Sequence, residues 1–313
     1  MILGLSISKF SSVCILFAGA HDCNNIKKFK SINMKKGLYI VATPIGNMGD
    51  ISFRAIETLK NTDFIICENP KHSLKLLSKF DIKKKLIALH DHNEQIVIEE
   101  IKEKLNKKVF SLISDAGSPL ISDPGYKLVR FCIQNDIYVT VVPGASSVIS
   151  ALQISSIPTD KYIFYGFLPK SKNSIVEFIE LLKKNNLTSI FFVSSHKILS
   201  LLDVMMIKLP KRKMAICKEI TKINEKVFVG FPAVVSEKFK NDKKNKLGEF
   251  VIVVEGNKSF KEKNVNIHPF IEDIIKKLLR KFSLTDTVEI VHKIGNIGKK
   301  EVYKKALELQ NEK

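Results

Sequence analysis

Along the first half of the chain, apolar residues fall in runs of four or five, each followed by a turn and then by a stripe at helical spacing. Leu38 to Ala42 reads as a strand, Ala55, Ile56 and Leu59 as one face of a helix that Asp50 can cap, and Phe64 to Cys67 as a second strand. A helix over His72 to Phe80 and a strand over Leu86 to Leu89 follow. Val97, Ile98, Ile101 and Leu105 mark the inner face of the next helix, and strands from Val109 and Val139 bracket another that carries Leu128, Val129 and Cys132. Strands alternating with helices predict a mostly parallel sheet covered on both faces.

Three of these strands run straight into rigid or small residues: Thr43-Pro44-Ile45-Gly46-Asn47, Ser114-Asp115-Ala116-Gly117-Ser118-Pro119 and Pro143-Gly144-Ala145-Ser146-Ser147. Such turns leave backbone N–H groups facing the carboxyl edge of the sheet, where open α/β folds bind ligands. Three in succession predict one cleft built from several loops.

The second half changes character after Ser155 to Thr159, which reads as a linker. Apolar runs at Tyr162 to Tyr165, Ile190 to Val193, Met214 to Cys217, Val227 to Val229 and Phe250 to Val254 alternate with helices at Ser174 to Lys184 and Lys197 to Met206. The close spacing of strands around Glu219 and Gly230 implies antiparallel pairing and a mixed second lobe. The expected division is therefore 34–155 and 156–258, followed by a helical tail over 259–313. That tail carries twelve Lys/Arg against eight Asp/Glu, a charge that would let it brace a polyanion. Its Gly295-Asn296-Ile297-Gly298 stretch is similar to the nucleotide-clamping loop of KH domains, but without the strands of that fold it reads as a turn between helices.

In this order and spacing, LYIVATPIGNMGDIS, HDHNE, SLISDAGSPLISDPGYKLVR, VVPGASS and YGFLPKSK resemble the bacterial ribosomal RNA small-subunit methyltransferase I family of the tetrapyrrole methylase superfamily, over roughly Met34 to Gly256. The resemblance implies a two-lobed α/β tetrapyrrole-methylase-like fold. It implies S-adenosylmethionine-dependent 2′-O-methylation of a cytidine in the decoding region of small-subunit (16S) ribosomal RNA, and a homodimer. The cofactor would lie folded between the lobes, against Pro44, Gly46, Ser114, Asp115, Ala116, Gly117, Pro143, Gly144, Ala145, Phe167 and Leu168. No Gly-x-Gly-x-Gly loop follows any strand, which disfavours a Rossmann-type site.

Methyl transfer from a sulfonium asks mainly for alignment in a dry cleft, which supplies about 7–11 kcal/mol. A ribose hydroxyl also needs a proton acceptor or charge stabiliser, worth about 10²–10⁴ in rate. His90-Asp91-His92-Asn93-Glu94 is the densest candidate, with Asp91 or His92 as base and Asn93 as a helix cap. The two histidines are similar to a zinc pair, yet no further ligand follows at a usual spacing. By resemblance Glu68 and Lys222 join the catalytic set, Lys222 holding a phosphate or developing charge; read from the residues alone, each is equally a solvated strand end. Two motifs depart from the family pattern: Glu68-Asn69-Pro70-Lys71 stands where Glu-Asp-Thr-Arg is usual, and Val193-Ser194-Ser195-His196-Lys197 where Tyr-Glu-Ser-x-His-Arg is usual. Both lose a carboxylate and trade a bidentate arginine for lysine.

Charge and cysteines narrow the partners and the compartment. Lys+Arg 51 against Asp+Glu 32 gives +19 over 313 residues, which favours an RNA partner, although a lysine-rich coding bias gives the same excess. Five scattered cysteines suggest neither a disulfide framework nor a CxxC metal site, so a reducing cytoplasm is expected, with Cys67, Cys132 and Cys217 as buried hydrophobes. Residues 1–33 contain a short apolar run, Val13 to Ala20, that mimics a signal peptide; they read instead as an upstream extension before Met34. Two rivals remain at this point: a methylase of a tetrapyrrole or other small molecule, and a ribosome-associated RNA-binding factor without turnover.

Overall fold

The computed structural model describes residues 34–257, 269–295 and 297–311. The 1–33 extension, the start of the tail and Asn296 lie outside the described residues.

Five strands, β1 (Gly37–Val41), β2 (Phe64–Cys67), β3 (Lys85–Ala88), β4 (Val109–Ile113) and β5 (Val139–Val142), form a wholly parallel sheet in the order β3-β2-β4-β1-β5. Alternate residues face opposite ways, so each strand feeds two cores. Leu38, Ile66, Phe110 and Leu112 pack on α3 (Glu94–Leu105) and α4 (Tyr126–Gln134). Tyr39, Ile65, Cys67 and Ile113 face α1 (Phe53–Asn61) and α2 (Pro70–Lys79). This is why the strands read as continuous apolar runs rather than as alternating ones.

The second sheet has the order β6-β7-β10-β8-β9, from β6 (Tyr162–Phe167), β7 (Thr188–Ser194), β8 (Met214–Lys218), β9 (Lys226–Gly230) and β10 (Glu249–Val254). Only the β6–β7 pair is parallel. One face packs on α6 (Lys172–Lys184), α7 (Ile198–Lys208) and α8 (Pro232–Lys240), the last of which the apolar runs did not mark. The other face is covered by α5 (Ser147–Ile154), through Val148, Ala151 and Leu152, and by Ile45 from the first β-turn. By packing, the chain thus joins the second sheet before Ser155 is reached. Three further helices, α9 (Pro269–Leu278), α10 (Leu284–Gly295) and α11 (Lys299–Asn311), share a core of Ile275, Val288, Val291, Val302, Ala306 and Leu309.

Two caps differ from expectation. Ser52, not Asp50, caps α1, its hydroxyl accepting from the Ala55 N–H at 3.1 Å, because Asp50 is taken up in a short 3₁₀ turn. Asn93 does not cap α3 with its side chain: it accepts from the His90 N–H and donates to the Ala88 carbonyl, which folds the loop back on β3. The buried Glu94 carboxylate reaches across to accept the Leu128 N–H at 2.9 Å, capping α4, whose own N-cap position is Gly125. A charged acceptor on a buried N–H contributes about 1.5–3 kcal/mol. Glu94→Ala should therefore lower stability by about 2 kcal/mol in urea unfolding, and Glu94→Gln, which keeps an acceptor oxygen, by less; equal loss in both variants would refute this role.

Candidate active site

The tips of β1, β4 and β5 are tied to one another. Thr43 and Gly117 exchange both backbone hydrogen bonds, at 2.8 and 3.1 Å, as an isolated antiparallel bridge between two loops that leave parallel strands. The Thr43 hydroxyl donates to the Ser114 carbonyl, and the Ser118 hydroxyl to the Ala145 carbonyl at 3.2 Å. Gly117 has φ +81°, where a Cβ is disfavoured and would also approach Ile45. At Gly144 a Cβ would stand 3.0 Å from that of Ala42. The three turns therefore form one rim.

Among the described residues two cavities adjoin this rim, between the lobes. The larger, about 420 Å³, runs from Asp115, Gly117 and Asp123 across to Phe167, Phe192 and Val251 of the second sheet, with Ser146 and Ser147 at the start of α5. The smaller, about 240 Å³, lies on the other side of the Thr43–Gly46 turn, against His72, Lys75 and Lys222. Ile45, Asp115, Ala116 and Glu249 belong to both walls.

The chambers differ in charge. Among the described residues the larger is lined by three carboxylates, Asp115, Asp123 and Glu249, and by no Lys, Arg or His, whereas the smaller shares Asp115 and Glu249 and adds His72, Lys75 and Lys222. Burial pushes the Asp123 carboxyl up to about 6, with Glu68 and Asp115 adding to the effect and the Ser114 hydroxyl opposing it. The backbone beside it is held in the left-handed region at Leu120 (φ +74°) and Ser122 (φ +71°), each costing about 1–2 kcal/mol. Strain of this kind persists where surrounding structure fixes it and gathers at ligand sites. One oxygen of Asp115, Oδ1, is buried without a hydrogen-bond partner among the described residues.

The lobes meet at the turn after β8. Lys222 Nζ lies 3.0 Å from Glu219 Oε1 and 2.9 Å from Glu249 Oε2, and the Asn47 N–H donates to the Thr221 hydroxyl at 3.1 Å. The Lys222 stem crosses directly over Gly46, where any Cβ would collide with it.

The expected site residues thus separate. Asp115, Ala116, Gly117 and Phe167 line the larger chamber, and Pro44, Gly46 and Lys222 the smaller. Phe167 reaches the cavity because β6 is irregular between Phe164 and Phe167, with Gly166 at φ +69°. Ser114 is buried behind the rim; Pro143 and Gly144 are exposed on it, and Ala145 braces it through its carbonyl. Leu168 is buried in the second-lobe core, its N–H bonded to the Phe192 carbonyl. Glu68, Asp91 and His92 are exposed and line neither chamber. Burial, then Asp115 and Asp91, raise the Glu68 carboxyl above its usual range, so these acids share one neighbourhood at the rim. Asp123, Glu249 and Ser146 were not among the candidates; the first lies in the Ser122-Asp123-Pro124-Gly125 turn signal, whereas nothing in the apolar pattern marks Glu249.

The departures from the family pattern have local accounts. Asn69 caps α2 by accepting from the Lys71 and His72 N–H groups, with Pro70 in the first turn, so an amide does the work of a capping carboxylate. Lys197 is turned onto the Pro169 carbonyl at 3.1 Å, and Ser194 lines the larger chamber.

Residues 37–233 match the family described as Tetrapyrrole (Corrin/Porphyrin) Methylases. The chain is 41% identical over 276 residues to ribosomal RNA small subunit methyltransferase I of Rickettsia prowazekii (strain Madrid E), an alignment covering 86% of this chain and 96% of that protein. It is 35% identical over 288 residues to the protein of the same name from Escherichia coli O157:H7, covering 91% and 100%. Solved structures of a cobalt precorrin-4 methyltransferase (TM-score 0.52, 14% identity, 71% of this chain and 95% of that one) and of a diphthine synthase (0.52, 13%, 70% and 89%) share the fold.

The raised Asp123 carboxyl predicts a pH-dependent cost. Between its ordinary value of 3.8 and about 6 the unfolded chain gives up this proton while the fold retains it, so the penalty is absent below about pH 4 and complete above about pH 6. Asp123→Asn should melt at a higher temperature than wild type above pH 6, with the difference closing toward pH 4; a gap that does not vary across thermal melts at different pH would refute the assignment.

Proposed function

The chain belongs to the ribosomal RNA small subunit methyltransferase I family of the tetrapyrrole methylases, and we propose that it transfers the methyl group of S-adenosylmethionine to the 2′ hydroxyl of a cytidine in the decoding region of 16S ribosomal RNA. The observation that carries this reading is the sign of the larger chamber. In a protein of net charge +19, its wall among the described residues holds two carboxylates without an ion pair, Asp115 and Asp123, beside Glu249, which Lys222 pairs from outside it, and no Lys, Arg or His. A low-dielectric pocket with that lining favours a cationic ligand, and a sulfonium donor with an α-ammonium group is one.

The residues present fit such a donor. Asp115, Asp123 and the hydroxyls of Ser146 and Ser147 would hold its polar groups, and Phe167 and Phe192 its adenine. Ala116 and Gly117 let backbone approach closely. Pro143, Gly144 and Ala145 support the rim from behind, Ser114 does so from beneath, and Leu168 anchors the strand that presents Phe167. When bound, the donor supplies an electrophilic methyl on positively charged sulfur.

What the protein adds is alignment and a proton acceptor. Of the two carboxylates common to both chambers, Glu249 is held by Lys222, whereas Asp115 Oδ1 is buried and unpartnered among the described residues. Asp115 is accordingly assigned the hydroxyl proton. Glu68, Asp91 and His92 are assigned to the RNA-facing rim, and Lys222 to closing the lobes. We place the reaction in the cytoplasm, where small subunits mature, and expect a homodimer. No helix among the described residues is long and apolar enough to cross a membrane.

Calorimetric titration with S-adenosylmethionine, followed by mass-spectrometric mapping of ribose methylation on small subunits from a strain lacking this gene, tests the whole reading. Saturable donor binding and one new 2′-O-methylcytidine are expected. Absence of donor binding would reassign the protein as an RNA-binding factor, and binding without RNA methylation as a small-molecule methylase. Within the reading, Asp115→Asn should lower kcat by about 10²–10⁴ while Phe167→Ala weakens donor binding by about tenfold; an Asp115→Asn enzyme of normal kcat would remove it as acceptor.

A further inference from the structure

We propose that the smaller chamber is the subsite for the target nucleotide, with Lys75 and His72 gripping a phosphate of its RNA backbone; this rests on the methyltransferase reading above.

Position is the first argument. The chamber shares the wall of Ile45, Asp115, Ala116 and Glu249 with the larger one, so a group lodged in it faces the donor chamber across the unpartnered Asp115 oxygen. Beside its basic side chains the lining includes the apolar Pro44, Met48 and Leu76, which suit a nucleoside body.

Charge is the second argument. Among the described residues three nitrogen-bearing side chains, His72, Lys75 and Lys222, line the smaller chamber, but Lys222 is bound by Glu219 and Glu249 and has no charge to spare. The side chains of His72 and Lys75 are exposed and make no ion pair or hydrogen bond among the described residues. They stand three residues apart on α2, which puts both on one face of a helix fixed by the Asn69 cap and by buried Ser73, Leu76 and Leu77. Asp115 and Glu249 line the smaller chamber too, but Glu249 is paired with Lys222, so two unpaired donors stand there beside one unpaired carboxylate, whereas the larger chamber adds Asp123 and, among the described residues, no basic group. An anionic polymer that must reach the donor is therefore better received at the smaller chamber.

Thr43 is tied to Gly117 on one flank, and Gly46 lies under the Lys222 stem on the other, so the dividing turn is held from both lobes. A target ribose can then be aimed without remodelling the donor side.

Lys75→Glu, Lys75→Ala and Lys75→Arg separate the outcomes, assayed with small ribosomal subunits and S-adenosylmethionine at several salt concentrations. Removing one phosphate contact should raise KM for the subunit, more for Glu than for Ala, and make the plot of log KM against log salt shallower by about one. The arginine variant should restore both, and the donor dissociation constant should stay at the wild-type value in all three. Unchanged KM and salt slope in the glutamate variant would overturn the subsite. Loss of donor binding in that variant would overturn it too, by assigning the chamber to the donor. A wild-type protein that binds the donor but methylates no subunit would instead overturn the functional reading, and the subsite with it.

Discussion

Two hydrogen bonds between Thr43 and Gly117 set the position of nearly everything else in the site. Neighbouring parallel strands present their carboxyl ends side by side, but nothing in a parallel ladder obliges the loops beyond to stay together. The reciprocal bridge does so, and the Ser118 hydroxyl extends the tie to the loop after β5. Gly117 is required because its positive φ lets the chain turn back to donate and accept at once. Ile45, carried on the bridged turn, then packs into the second sheet beside Ala151 and Cys217. The same few atoms close the first lobe's rim and dock it on the second lobe.

Polar groups at this junction are arranged by sign. Glu219 and Glu249 absorb Lys222, so Asp115 and Asp123 keep the larger chamber acidic, while the smaller one, which shares Asp115, adds the donors His72 and Lys75. A site that must hold a cation and an anion within reach of each other benefits from such division, since each ligand is repelled from the other's place. The rim acids Glu68 and Asp91 extend the negative side outward, and burial, then Asp115 and Asp91, make Glu68 harder to ionise.

Much of this was legible in the residues. Parallel strands buried on both faces, the rigid turns at their ends and the helical tail are local signals, written in apolar runs, Pro and Gly, and the structure keeps them within a residue or two. The His90–Glu94 loop shows where local signals fail. Its five residues carry the densest chemistry in the sequence, yet Asn93 folds back on His90 and Ala88, and Glu94 caps α4 thirty-four residues away. Which carboxylate is taken up by a helix end and which is left over a cavity is a tertiary fact. Glu249 illustrates the converse: at the start of an apolar strand it looks like a solvated end, and only the approach of Lys222 gives it a place in the wall. Ser147 to Ile154 reads with the first lobe but belongs by packing to the second, because its apolar face finds the uncovered side of that sheet.

The carboxylate-lined chamber also bears on competition inside a cell. Adenosine triphosphate and its relatives carry the same nucleoside as the proposed donor, with a chain of negative charges where the donor has positive ones. A pocket that recognised adenosine by shape alone would spend its time occupied by these metabolites. With the unpaired Asp115 and Asp123 around it, the pocket would turn them away by Coulomb repulsion, and a shared ring system would cease to be a liability.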